Sequence, residues 1–191
     1  MMGFSMPYFK RLSILLGVVG ILLLGVAPAL AEGISVRQAE ISATEEGYFL
    51  NADFDLELTP ALEEALNRGV SLTFTVTVEV IEPRWYWFNK DIVNLRQERR
   101  ISFNPLTRVY RFSMGSLYLS FNTLRDALQA LTQLNKVRVA DPGSMKKGGR
   151  YEARAQMRLD VSQLPKPFQV DALSSNDWNL ASRPFSWTVT P

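Results

Sequence analysis

Apolar and polar residues alternate along much of the chain beyond residue 33. Tyr48, Leu50, Ala52, Phe54, Leu56 and Leu58 take the even positions, with Asn51, Asp53, Asp55 and Glu57 between them. A period of two is the mark of a half-buried strand. Val70 to Val80 repeats the pattern with Ser71, Thr73, Thr75, Thr77 and Glu79 on the second face, and Pro83 ends it because proline has no N–H for the ladder. Ile34 to Ala43 predicts a weaker strand, joined to the next by the polar turn Glu45-Glu46-Gly47. Further strands are expected over Ile92–Phe103, Arg108–Met114, Leu117–Phe121, Tyr151–Val161 and Phe185–Val189.

Two short stretches switch to helical spacing. Thr59 as N-cap, Pro60 in the first turn, Leu62 and Leu66 on one face and Gly69 after the last turn predict a helix of about two turns. Thr123 with Asp126 forms a capping box ahead of Leu124, Leu128, Leu131 and Leu134. Residues 137–150, rich in Gly and Lys, predict a mobile loop, and Leu164-Pro165-Lys166-Pro167 an extended linker, with one helical turn expected within residues 171–182. About seven strands joined by hairpins or small helices indicate a mainly β fold, an antiparallel β-sandwich immunoglobulin-like in outline with two short helices.

Residues 1–31 read differently. Lys10 and Arg11 precede an uncharged apolar run from Leu12 to Val26, followed by Pro28 and Ala29-Leu30-Ala31. This is the layout of a secretory signal peptide, with cleavage expected between Ala31 and Glu32 and a single domain over residues 32–191. A run of about 15 residues is short for a bilayer, which needs roughly 20. An uncleaved N-terminal anchor in the inner membrane is the alternative. The expected location is therefore the periplasm.

The chain has 191 residues, with 21 Lys+Arg against 19 Asp+Glu. Removing residues 1–31 takes away two basic residues and no acidic one, which leaves the domain formally neutral. A neutral exported domain lacks the basic excess that nucleic-acid binding needs. Histidine and cysteine are both absent, which excludes a Ser-His-Asp triad, a cysteine nucleophile, His or Cys zinc sites, iron–sulfur clusters and His-ligated haem. No cofactor and no metal site is expected, and the chain reads as a binding protein rather than an enzyme.

The candidate chemistry that remains is thin. Ser144-Met145-Lys146-Lys147 has the S-x-x-K spacing, but Pro142, Gly143, Gly148 and Gly149 surround it, where the chemistry requires a buried helix. Asp53, Asp55 and Glu57 share one strand face, a spacing that suits glycoside hydrolysis or a Ca²⁺ ion and equally suits solubility. The most unusual stretch is Arg84-Trp85-Tyr86-Trp87-Phe88-Asn89-Lys90-Asp91. Core packing is the ordinary reading of such aromatics, yet four in a row cannot all face one core from a strand. Trp85, Tyr86 and Trp87, with Arg96, Arg99 and Arg100 after them, are the candidate binding residues, the rings as anchors and the arginines for phosphate or carboxylate groups.

The Arg84-Trp85-Tyr86-Trp87 stretch, Leu106-Thr107-Arg108-Val109-Tyr110, Leu164-Pro165-Lys166-Pro167-Phe168, Asp177-Trp178-Asn179-Leu180 and Trp187 together resemble an exported proteobacterial family catalogued as domain of unknown function 4390. The resemblance covers nearly all of residues 34–189. It brings no assigned activity and no site residues. It implies an accessory role beside an envelope protein, such as a membrane sensor kinase, because the family's genes sit next to one. Carriage of an apolar or anionic lipid between the sheets is the rival expectation, and a hydrolase of envelope polysaccharide acting through Asp53 or Asp55 the third.

Overall fold

The computed structural model describes residues 33–86 and 88–191. The expected signal segment with its Ala31–Glu32 junction, and Trp87, lie outside the described residues. Nine strands form two antiparallel sheets among the described residues, as the alternation predicts. The smaller sheet has the order β1 (Ile34–Thr44), β2 (Gly47–Leu56), β7 (Gln133–Ala140). The larger runs β6 (Leu117–Phe121), β5 (Val109–Met114), β4 (Lys90–Asn104), β3 (Leu72–Glu82), β8 (Tyr151–Leu159), β9 (Phe185–Val189). Helix α1 (Pro60–Asn67) carries the chain from the smaller sheet to the larger, and α2 (Leu124–Thr132) carries it back.

Both helices begin as their sequences dictate. Thr59 Oγ1 accepts from the Leu62 N–H at 3.3 Å, and Thr123 Oγ1 from the Asp126 N–H at 3.2 Å, each satisfying an N–H that the first turn leaves without a partner. After α1, Gly69 takes φ +91°, a left-handed conformation that costs glycine little.

The core lies where the two apolar faces meet. Leu50, Ala52, Phe54 and Leu56 of β2 pack with Leu72, Phe74, Val76 and Val78 of β3 and with Ala155 and Met157 of β8, and Leu62 and Leu66 of α1 and Leu131 of α2 complete the layer. Burying each large side chain is worth about 1.5–3 kcal/mol. A second cluster of Tyr48, Val80, Val93, Met145, Tyr151, Ala153 and Val189 closes one end of the molecule.

Four expectations need correction. Residues 137–140 are not loop but the end of β7, and Leu134, assigned by its spacing to the second helix, is a buried residue of this strand, opposite Ala52. Lys136 adopts φ +51°, and the pairing shifts register between Leu50 and Ala52, so Leu134 and Val137 face β2 three residues apart and the alternation is hidden. The rest of the expected mobile loop is held down. Tyr48 Oη donates to the Met145 carbonyl at 3.0 Å, and the Lys146 N–H donates to Tyr151 Oη at 2.8 Å.

The prolines of the supposed linker begin a third helix, α3 (Lys166–Ser174), where a missing N–H is harmless. Finally, Thr73 and Thr75 are buried although they lie on the second face of β3. Their cross-strand neighbours are Arg100, Glu98 and Arg158, whose long side chains cover them.

Candidate functional site

The hairpin between β3 and β4 pairs as far as Glu82 and Lys90. Pro83 cannot continue the ladder, and the Arg84 N–H donates to Asn89 Oδ1 at 3.3 Å across the base of the turn. With no strand face beyond Glu82, the aromatic run has no inner side on which to hide. The end of the core beneath is already filled by Tyr48, Met145 and Tyr151. Trp85 is consequently 94% exposed, Phe88 85% and Tyr86 68%. The ordinary reading of these rings as core residues is thus corrected for all three. Trp85 and Tyr86 meet edge to face with centroids 5.2 Å apart.

Cations flank the tip. Lys90 is exposed, and Arg84 reaches Glu82 at 3.8 Å. Arg150 and Pro83 line a groove of about 480 Å³ together with Tyr151, Glu152 and Trp187.

The three arginines named with the aromatics do not join them, nor one another. Arg99 lies on the inner face of β4 and is 4% exposed, whereas Arg96 and Arg100 are exposed on the outer face. A strand turns successive side chains to opposite faces, so Arg99 shares its side with Ile101. Its guanidinium donates to the carbonyls of Ala130 and Gln133, at 2.7 and 2.8 Å, at the C-terminal end of α2. There the helix dipole favours a cation. The guanidinium carbon also stands 5.2 Å from the Phe112 ring centre. Burial lowers the Arg99 pKa to about 10. Arg99 is a strut between sheet and helix rather than a ligand-binding cation. Arg96 pairs with Asp160 at 3.6 Å, and Arg100 Nε donates to Thr73 Oγ1 at 3.1 Å.

The carboxylates of β2 are occupied in a similar way. Arg37 reaches Asp53 at 3.4 Å and Asp55 at 3.2 Å. Asp53 borders a shallow depression of about 230 Å³ whose other walls include Gln38, Asn51, Gln133 and Asn135. One arginine shared by two acids is charge compensation on a solvated strand face. Ser144 and Lys147 sit exposed in turns without a helix between them, which removes the geometry their spacing would need. Among the described residues no cluster of three or more acidic side chains is placed to hold a metal ion, and no helix is long and apolar enough to cross a membrane.

A family model matches residues 31–188. The chain belongs to the family described as Domain of unknown function (DUF4390). The DUF4390 match takes in both sheets almost to the end of β9, the hairpin tip included. Searches of curated proteins and of solved structures return no match.

Sequence reasoning had Phe88 in the aromatic cluster and missed the flanking Lys90 and Arg150. Lys90 stands in the same octapeptide as Trp85, so the signal was present. Arg150 is brought near by the pairing of β3 with β8, and no local pattern announces it.

Proposed function

We propose that this DUF4390 protein is an exported, non-catalytic accessory module that works at the cell envelope beside an envelope protein and docks through the tip of its β3–β4 hairpin. The observation that carries this reading is the exposure of Trp85, Tyr86 and Phe88 together at one end of the molecule. Large aromatic side chains supply much of the energy of binding surfaces, and leaving several in water is unfavourable unless something covers them in use. A membrane sensor kinase is the envelope protein that the family resemblance suggests. The supporting features of the sequence are the export signal expected over residues 1–31 and the lack of His and Cys.

The rival of lipid carriage calls for an apolar cavity between the sheets. That space is filled by Leu50, Phe54, Phe74, Leu131, Met157 and their neighbours. A hydrolase reading has its acids bound to Arg37.

The test is fractionation of cells that produce the full chain or its Trp85→Ser, Phe88→Ser double variant. Both side chains are almost wholly in solvent, so the variant is expected to melt within a degree or two of the parent. The share recovered with the envelope is expected to fall severalfold. Equal recovery of parent and variant would show that the tip is not the docking element.

A further inference from the structure

We propose that the hairpin tip seats in the headgroup interface of a lipid bilayer that carries anionic lipid. The proposal rests on the reading of the tip as the docking element and names what it meets. Three features single out lipid. The first is residue type, since Trp and Tyr join an apolar ring to a polar edge and concentrate at the level of lipid headgroups.

The second is shape. Only seven residues, 83–89, separate the last paired residues of the two strands, so the rings stand on a narrow convex turn. A stable protein contact takes about 20–30 residues a side, with its anchors ringed by packed neighbours that exclude water. A soft interface imposes no such demand. Strand pairing satisfies the backbone up to Glu82 and Lys90, and the Arg84 N–H is held by Asn89.

The third is charge. Between Pro83 and Lys90 the chain carries Arg84 and Lys90 and no acidic residue, while Glu82, which reaches Arg84 at 3.8 Å, and Asp91 lie one step further from the apex. Arg150 stands across the groove that it shares with Pro83 and Glu152. Cations set nearer the apex than the acids complement anionic headgroups, within the reach of a Debye length.

The absence of cysteine from the chain makes the test direct. A single Tyr86→Cys substitution in the full chain takes an environment-sensitive fluorophore, and Leu106→Cys takes the same label as a control. Leu106 is 95% exposed in the turn at the far end of β4, roughly 45 Å away at the rise of an extended strand. The labelled proteins are mixed with protein-free vesicles of phosphatidylethanolamine and phosphatidylglycerol. The label at position 86 is expected to shift to the blue and to be quenched by brominated acyl chains, while that at position 106 stays in water.

Adding Trp85→Ser and Phe88→Ser is expected to weaken the response at position 86 about tenfold or more. Replacing phosphatidylglycerol by phosphatidylcholine is expected to weaken it severalfold. A label at position 86 that remains in water overturns the lipid proposal, including the case in which the protein binds vesicles through residues 1–31. If the fractionation variant still leaves the envelope in that case, the tip meets a protein and the docking reading stands. If it does not, both readings fall.

Discussion

Arg99 and Arg100 are neighbours in sequence and occupy opposite faces of β4, one buried against α2 and the other in solvent beside Thr73. The parity was legible, because Arg99 falls in step with Ile101 and Phe103 while Arg100 does not. A cation rarely faces a core, and that expectation hid it. Here the acceptors are backbone carbonyls. Arg99→Met would remove the guanidinium's bonds to the carbonyls of Ala130 and Gln133 at a buried site. A loss of about 2–4 kcal/mol on chemical denaturation is expected, with Arg99→Lys losing less.

The pH dependence follows from the direction of the shift. Burial brings the folded-state pKa down to about 10, below the unfolded value. Between the two the unfolded chain binds more protons, and the contribution of Arg99 to stability rises with pH. Below that window both states keep the proton. The difference between wild type and Arg99→Met should therefore stay constant from about pH 6 to about pH 9. A difference that changed steadily across that range would mean another group titrates with it.

Helices α1 and α2 have the same kind of cap and differ in what else the cap does. Among the described residues Thr123 Oγ1 hydrogen-bonds only with Asp126, accepting from its N–H and donating to its carboxylate, whereas Thr59 Oγ1 caps its helix and also donates to the Asp177 carbonyl at 2.7 Å. Thr123→Ala is expected to cost about 1 kcal/mol and Thr59→Ala roughly twice that, with Thr59→Ser close to wild type in a melting series. The strands β2, β3 and β8 were readable because each divides cleanly into an apolar and a polar face. β7 was not, since the kink at Lys136 breaks its period, and α3 was hidden by the prolines that open it.

Sheet edges follow a similar logic. β1 carries Arg37 and Glu40, β7 carries Lys136 and Arg138, and β9 lies against β1. Two edges carry no charge, β9 (Phe-Ser-Trp-Thr-Val) and β6 (Leu-Tyr-Leu-Ser-Phe), and on β6 Leu117, Tyr118 and Leu119 are all exposed. Such an edge is prone to pair with other strands. Leu119→Lys should lower turbidity on heating and leave the melting temperature nearly unchanged.

Over the whole molecule the two sheets, the core between them and the two cap-bounded helices were legible in the spacing of apolar residues. The place of the aromatic run was not. In sequence Trp85, Tyr86 and Phe88 look like core residues, and only the pairing that stops at Glu82 and the filled layer of Tyr48, Met145 and Tyr151 leave them outside. One end of the sandwich thus carries three exposed rings beside Arg84 and Lys90, while Leu106 stands exposed at the far end of β4 in a turn, residues 105–108, that holds Arg108 and no aromatic residue. The most direct measurement is photocrosslinking in intact cells, with a benzophenone amino acid placed at position 86 or at position 106 of the full chain. Position 86 is predicted to give crosslinks to envelope lipid or protein that position 106 does not. Equal crosslinking at the two ends, or crosslinks from position 106 alone, would contradict the account.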